Sequence, residues 1–408
     1  LRGCFMQLFC IPALTEKAGQ SLAKARQASE SRGADPREGH HIAALAAWIS
    51  GDMDTALEHW EAILLDHPRD MLALKLSQFI HFYLGDSRRQ RDSIARVLDA
   101  WGEDTPGHAN VLGMYAFGLE ESGDYAAAER NGRVAVEKDP DDPWAVHAIA
   151  HVMEMQDRRR EGIAWLRGLE SHWTRANNFR FHLWWHLALF HLELEQYDDV
   201  LELYDKEFRK EPSEEYLDIC NATSMLWRLV ERGVDVGDRW RELASVSATR
   251  IGGHGLIFPD MHFVMALEAA GDTDNGDAFI HSLKTAGADP AITQARVIDH
   301  VGLALAQSIA AWYRGDYGGV VDGLMPVRYS LQEIGGSHAQ RDLFHQILIA
   351  AALRAPRPQL ARALLDERRR LKPNNAWTWQ RYAQALHALG DGAAAEKAAE
   401  QARSLLAA

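Results

Sequence analysis

The chain reads as a succession of stretches, about 11 to 16 residues each, in which apolar residues recur three and four apart, with short turns between them. Runs that alternate polar and apolar residues with β-branched enrichment, the mark of strands, are nearly missing. Alanine is abundant, which favours helix and lets neighbouring helices approach closely. The turns keep a clock. Gly-Asp occurs at Gly51-Asp52, Gly85-Asp86, Gly123-Asp124, Gly271-Asp272, Gly315-Asp316 and Gly390-Asp391. Asp157, Gln196-Tyr197 and Gly233 fill the gaps, and as far as Gly315 successive markers lie about 34 to 44 residues apart. A second clock runs beside it: Pro68 and Pro140 each stand 17 residues after a turn glycine, Pro212 stands 17 after Glu195, and Pro373 stands 17 before Gly390.

Each mark has a physical role. Glycine takes the left-handed conformation that ends a first helix. Aspartate caps the second. Proline stops that helix about four turns on, because it lacks a donor and clashes with the preceding turn. A helix pair of this kind buries its apolar face only by stacking on another pair. The expectation is an all-α solenoid, a superhelix running over residues 1–408 as a single array.

The unit resembles the tetratricopeptide repeat. Residues 110–140 carry Ala116, Gly123-Asp124-Tyr125, Ala128, Ala135 and Pro140 in the repeat's order, and residues 376–406 carry Trp377, Ala383, Gly390-Asp391 and Ala395. The length then holds about nine or ten pairs. The match weakens over residues 234–259 and 329–357, where extra turns or loops are expected. Residues 3–14 are apolar but short for a membrane span. They lack a charged flank and a small-residue cleavage site, and read as part of a packed helix in a partial leading pair, residues 1–35. The start at Leu1 suggests residues upstream.

The resemblance implies that the first helix of each pair lines the concave face. Groove-facing residues then stand thirteen, ten, nine, six, three and two places before the turn. Counted from Asp157, these include Trp144, His147, His151 and Glu154. Counted from Glu195, they include His182, Trp185 and His186. Counted from Gly271, they include Phe258 and His262, with Asp260 alongside. His147/His151 and His182/His186 are spaced i,i+4, which puts each pair on one helix face. The two helices belong to adjacent units and should touch.

Three readings of these histidines stay open. They are structural, satisfied by neighbours and water. They line a small-molecule pocket and supply hydrogen bonds or acid–base chemistry near neutral pH. Or they bind a divalent transition metal, zinc or iron, through His147, His151, His182, His186 and His262. The metalloprotease pattern is absent, since no Glu follows the first His directly. The candidate catalytic residues are His151, Glu154 and His186. The candidate ligand-binding residues are Trp144, His147, His182, Trp185, Phe258, Asp260, His262 and Arg341. Arg341 enters through residues 335–342 (GGSHAQRD), a Gly-rich connector before the C-terminal repeats, which suits an anion at a helix start. Ser337 as a plain helix cap is the alternative. The lone His40, His59, His81, His281 and His387 read as surface or core residues.

Composition narrows the partners. The chain is 47% hydrophobic and 25% charged with 13 Pro, so long disorder is not expected. The formal charge of −14 argues against nucleic acid and anionic membrane as partners. The basic run at residues 366–372 (DERRRLK) reads as a solvated helix face. Three cysteines, Cys4, Cys10 and Cys220, indicate neither a disulfide framework nor a Cys-based zinc site, and fit a reducing cytoplasm. Partners reduce to a small molecule, with the chain acting as an enzyme or a binder, or a peptide held in the groove by a scaffold. Oligomeric state is not readable.

Residues 144–156 (WAVHAIAHVMEMQ), 178–193 (NFRFHLWWHLALFHLE), 234–240 (VDVGDRW) and 335–342 together resemble the tetratricopeptide repeat protein 38-like family, over nearly the whole chain. That resemblance implies an intracellular solenoid, and a family start one helix pair earlier than Leu1. It implies no particular chemistry.

Overall fold

The computed structural model describes residues 1–9, 11–33 and 35–407; Cys10 lies outside the described residues. Among these there is no strand. After a short helix Arg2–Gln7 and a longer one Pro12–Arg32, ten antiparallel helix pairs follow, from Pro36–Ile49 with Met53–Asp66 to Ala376–Ala388 with Gly392–Ala407. The expected helix at the N-terminus is divided, because Pro12 stands at the first position of the second helix and cannot continue the preceding one.

The turns follow the sequence clock. Gly51, Gly85, Gly123, Gly233, Gly271, Gly315 and Gly390 all have positive φ, and so do Asp157 at 56° and Glu195 at 59°, the two places where glycine is missing. Asp52, Asp86, Asp124, Asp272, Asp316 and Asp391 each accept a hydrogen bond from the backbone N–H three residues on, at 2.8 to 3.4 Å. Those caps satisfy donors that a helix start otherwise leaves unpaired.

The superhelix closes on itself. The Thr293 N–H donates to the Gly51 carbonyl at 3.0 Å, and the Thr293 hydroxyl accepts from the Met53 N–H at 3.0 Å. Arg296 pairs with Asp54 at 2.5 Å. The concave side is filled by the helix His338–Arg354, which packs on Pro143–Met155 and on Tyr216–Glu231. This explains why the inner helices Pro143–Met155, Phe179–Glu193 and Ile257–Ala269 are buried along nearly their whole length. In an open solenoid one face of each would be wet.

The Gly-rich connector is shorter than expected. Only Gly335 and Gly336 lie between the 3-10 turn Leu331–Ile334 and the helix, and Ser337 caps His338–Arg354 in a capping box with Gln340. Both glycines have positive φ. A Cβ on Gly335 would stand 2.6 Å from the Tyr83 carbonyl oxygen, and one on Gly336 would stand 2.5 Å from the Phe258 ring. The connector is thus a strap pressed against the turn of an early repeat.

Candidate metal centre and adjoining cavity

Two adjacent inner helices, Pro143–Met155 and Phe179–Glu193, each put two imidazoles one turn apart on the face they share. His147, His151, His182 and His186 meet there, none more than 3% exposed. One ligand-type atom from each lies within 4.8 Å of the other three. Ring centroids stand 4.3 Å apart for His147–His151, 4.7 Å for His182–His186 and 4.5 Å for His151–His186. Burial pulls His151 down to about 4 and His182 down to about 3, and His147 and His186 shift the same way. All four are neutral near pH 7, the state in which imidazole ligates metals.

The nitrogens carry the chemistry. His182 Nδ1 is 3.0 Å from Asn221 Oδ1, which fixes its tautomer with the proton on Nδ1 and a lone pair on Nε2. His182 Nε2 is 3.0 Å from His147 Nε2. A hydrogen bond accounts for that distance, and so do two ligands about 2.0–2.1 Å from one ion in a near-right-angle arrangement. The remaining nitrogens, His147 Nδ1 and both nitrogens of His151 and of His186, have no hydrogen-bond partner. Each unpaired buried polar atom costs about 1–3 kcal/mol. Their geometry, neutrality and lack of partners fit a borderline transition ion and not magnesium or calcium, which prefer oxygen ligands.

A carboxylate pair adjoins the imidazoles. His151 Nδ1 lies 3.6 Å from Glu120 Oε2 and 3.9 Å from Glu121 Oε1, all of them buried. Burial, and next the neighbouring Glu121, push the Glu120 carboxyl well above the usual range. Burial works the same way on Glu121, but His338, Arg341 and the His338 backbone N–H outweigh it and hold that carboxyl low. The pair therefore retains one proton, on Glu120.

Beside this cluster is a narrow, mostly apolar cavity of about 60 Å³. Phe79, Phe82, Phe117, Trp144, Phe179 and Phe258 form apolar walls, His147, His151 and His182 form one end, and the Gly335–Gly336 strap covers it. Trp144 stacks on Phe179 at 3.8 Å between centroids. Lys75 also lines this space, with Nζ 4.0 Å from the Trp144 ring centre.

Several expected site residues stand elsewhere. His262 does not reach the cluster: its Nδ1 is 2.9 Å from the Phe258 carbonyl oxygen, and its ring lies against Phe258 and Phe344. Asp260 turns away from the cavity and pairs with His254 at 2.9 Å. Glu154 faces the C-terminal helices, 3.9 Å from Lys372 Nζ, and burial pushes its carboxyl up to about 7. Arg341 bonds the Gly336 carbonyl and the Glu121 carboxylate at 3.3 Å, so it ties the strap down. Trp185 stacks behind His182, with centroids 5.2 Å apart, and forms no wall. Trp144, His147, His151, His182 and Phe258 do line the cavity.

The sequence reading passed over Lys75, Phe79, Phe82, Phe117, Glu120 and Glu121. They were findable. Lys75, Phe79 and Phe82 stand ten, six and three places before Gly85, and Phe117, Glu120 and Glu121 stand six, three and two before Gly123.

No family model matches the chain. Solved structures similar over most of its length include the human IFIT1 dimer with PPP-AAAA, 12% identical, covering 97% of this chain and 88% of that chain, TM-score 0.44. The human IFIT1 dimer with m7Gppp-AAAA is 12% identical and covers 100% and 90%, TM-score 0.41. The P58(IPK) TPR domain is 13% identical and covers 91% and 98%, TM-score 0.25. The likeness extends to the helical-repeat fold alone. The exclusion of nucleic acid drawn from net charge is withdrawn; the IFIT1 dimers are solved with PPP-AAAA and m7Gppp-AAAA. A global charge sum does not exclude a local site. No helix among the described residues is long and apolar enough to cross a membrane.

Proposed function

We propose that this chain is a metal-dependent protein of small-molecule chemistry, with a transition ion held by His147, His151, His182 and His186 at the end of the aromatic cavity. The observation that carries the reading is the set of five unpaired nitrogens on three of four buried, neutral imidazoles. When bound, such an ion supplies Lewis-acid polarisation. His151 links the imidazoles to the Glu120–Glu121 pair, which holds and moves one proton beside them. Asn221 keeps His182 in the ligating tautomer. The aromatic walls exclude water from the bound molecule.

The alternative, a scaffold that grips a peptide in the groove, is less well supported, because the helix His338–Arg354 occupies the concave side. A cytoplasmic setting and membership of the tetratricopeptide repeat protein 38-like family belong to the same proposal. Cys4 and Cys220 as free thiols suit the first.

Metal analysis of protein purified without a histidine tag tests the reading. About one equivalent of zinc, iron, copper or nickel is expected, together with its loss in His147→Ala. Less than about 0.1 equivalent, with none taken up on adding metal, rejects it.

A further inference from the structure

The cavity walls carry a chemical bias that the metal reading does not use. Among the described lining residues there is no Asp, Glu or Arg, and Lys75 is the one with a fixed cationic group. The Lys75 ammonium lies over the Trp144 ring at 4.0 Å and near the Phe79 ring at 4.7 Å, and donates to Gln78 Oε1 at 3.1 Å. It makes no ion pair among the described residues; Asp142 acts on it only at longer range, and that carboxylate accepts from Asn110 and from the Trp144 N–H. Burial brings the ammonium down to about 8, which leaves it cationic at neutral pH. A second wall residue, Gln90, is 1% exposed, and its Nε2 has no hydrogen-bond partner. The cavity therefore offers a cation, an amide donor and aromatic faces, with no anion.

We infer that the ligand of this cavity is a small apolar monocarboxylate, its carboxylate taken by Lys75 and its body held between the Trp144, Phe179, Phe82 and Phe258 rings. This rests on the reading of the cavity as a small-molecule site. One ammonium suits one negative charge. A phosphate would call for an arginine fork, and no Arg lines the cavity among the described residues. An amine would meet the ammonium with repulsion and find no carboxylate. The free space is narrow, about 60 Å³, which restricts the ligand to a small molecule.

Calorimetry with phenylacetate and octanoate, each against its own primary amide, on purified full-length protein tests the inference. Both carboxylates are expected to bind at least about tenfold more tightly than their amides. In Lys75→Met and in Lys75→Gln that preference should vanish while metal content stays at the wild-type level. Using two variants guards against one that fails to fold, which circular dichroism will show. Equal affinity for acid and amide, an undiminished preference in either folded variant, or no binding by the wild type overturns the inference. Binding of the amides or of indole without acid preference leaves the cavity reading intact and removes only the carboxylate. Metal content in the same samples judges the metal centre separately.

Discussion

At the scale of single residues, the site is defined by nitrogen atoms with nothing to bind. His186 is fully buried, and neither of its ring nitrogens has a partner. Exchanging such a group for an apolar one of like shape is close to neutral. His186→Phe is therefore expected to leave the metal-free protein within about 1 kcal/mol of wild type in urea unfolding, while metal binding is lost. A metal-free variant weakened by several kcal/mol would show that His186 serves packing. His262 permits a cleaner pH experiment, because it lies outside the cluster. Burial pulls it down to about 4. The unfolded chain binds this proton below about pH 6.5 and the folded chain does not. Its contribution is complete above that pH and is lost as pH falls toward 4. The stability gap between wild type and His262→Phe should thus close by about 1.4 kcal/mol per pH unit between about pH 6.5 and 4.5. A gap that stays constant from pH 7.5 to 5 would contradict a neutral buried imidazole. Much of this was readable in the chain, because counting back from each turn puts the right residues on the inner face. What the count lacks is the identity of the neighbour. Glu154 and His262 face inward as counted, yet Lys372 and the Phe258 carbonyl claim them.

At the scale of elements, the helix-pair unit was legible down to its two irregular turns. Asp157 and Glu195 were marked by spacing alone, and both adopt the left-handed conformation that glycine takes elsewhere. The strap was not legible. Nothing in the glycine at 335 says that it presses on residues 82–83, a contact that spans about 250 residues. The consequence is a difference between turn glycines that look alike in sequence. A Cβ at Gly123 meets nothing within 4 Å, whereas at Gly85 it collides with the Gln332 backbone. Gly123→Ala should cost only the left-handed backbone penalty, about 1–2 kcal/mol. Gly85→Ala adds displacement of the segment that leads into the strap and should cost more than about 3 kcal/mol. It should also admit water to the cavity and weaken ligand binding. Equal losses in the two variants, measured by denaturant midpoints at constant slope, would mean that the strap is not held there.

At the scale of the whole molecule, an open solenoid and a closed one differ in cooperativity. When each repeat touches only its neighbours, end repeats melt on their own. Here the first and second helix pairs are bound to a segment about 240 residues later: Thr293 bonds residues 51 and 53, Arg296 pairs with Asp54, and Gln332 meets Gly85. Tyr83 and Tyr216 hydroxyls stand 3.2 Å apart across the interior. Local pattern cannot announce such contacts, since turn spacing specifies a pair and its neighbour but not where the superhelix returns. The exposed Asp54–Arg296 pair contributes little by itself, no more than about 1 kcal/mol. The buried backbone contacts beside it carry the closure. Because they join the first repeats to residues 293–332, and the last repeat bonds Glu193 and Glu231, neither end can leave without exposing the middle of the chain. Far-ultraviolet circular dichroism, which follows all helices, and tryptophan fluorescence should therefore report one coincident unfolding transition in urea. Trp48 and Trp60, packed edge to face at 5.6 Å in the early repeats, and Trp377 near the other end provide reporters at both places. With all other tryptophans replaced by Phe, the early and late reporters should give the same midpoint. If the early pair melts at a lower urea concentration, the closure contacts are too weak to couple the ends, and the cavity that they enclose would open well before the protein unfolds.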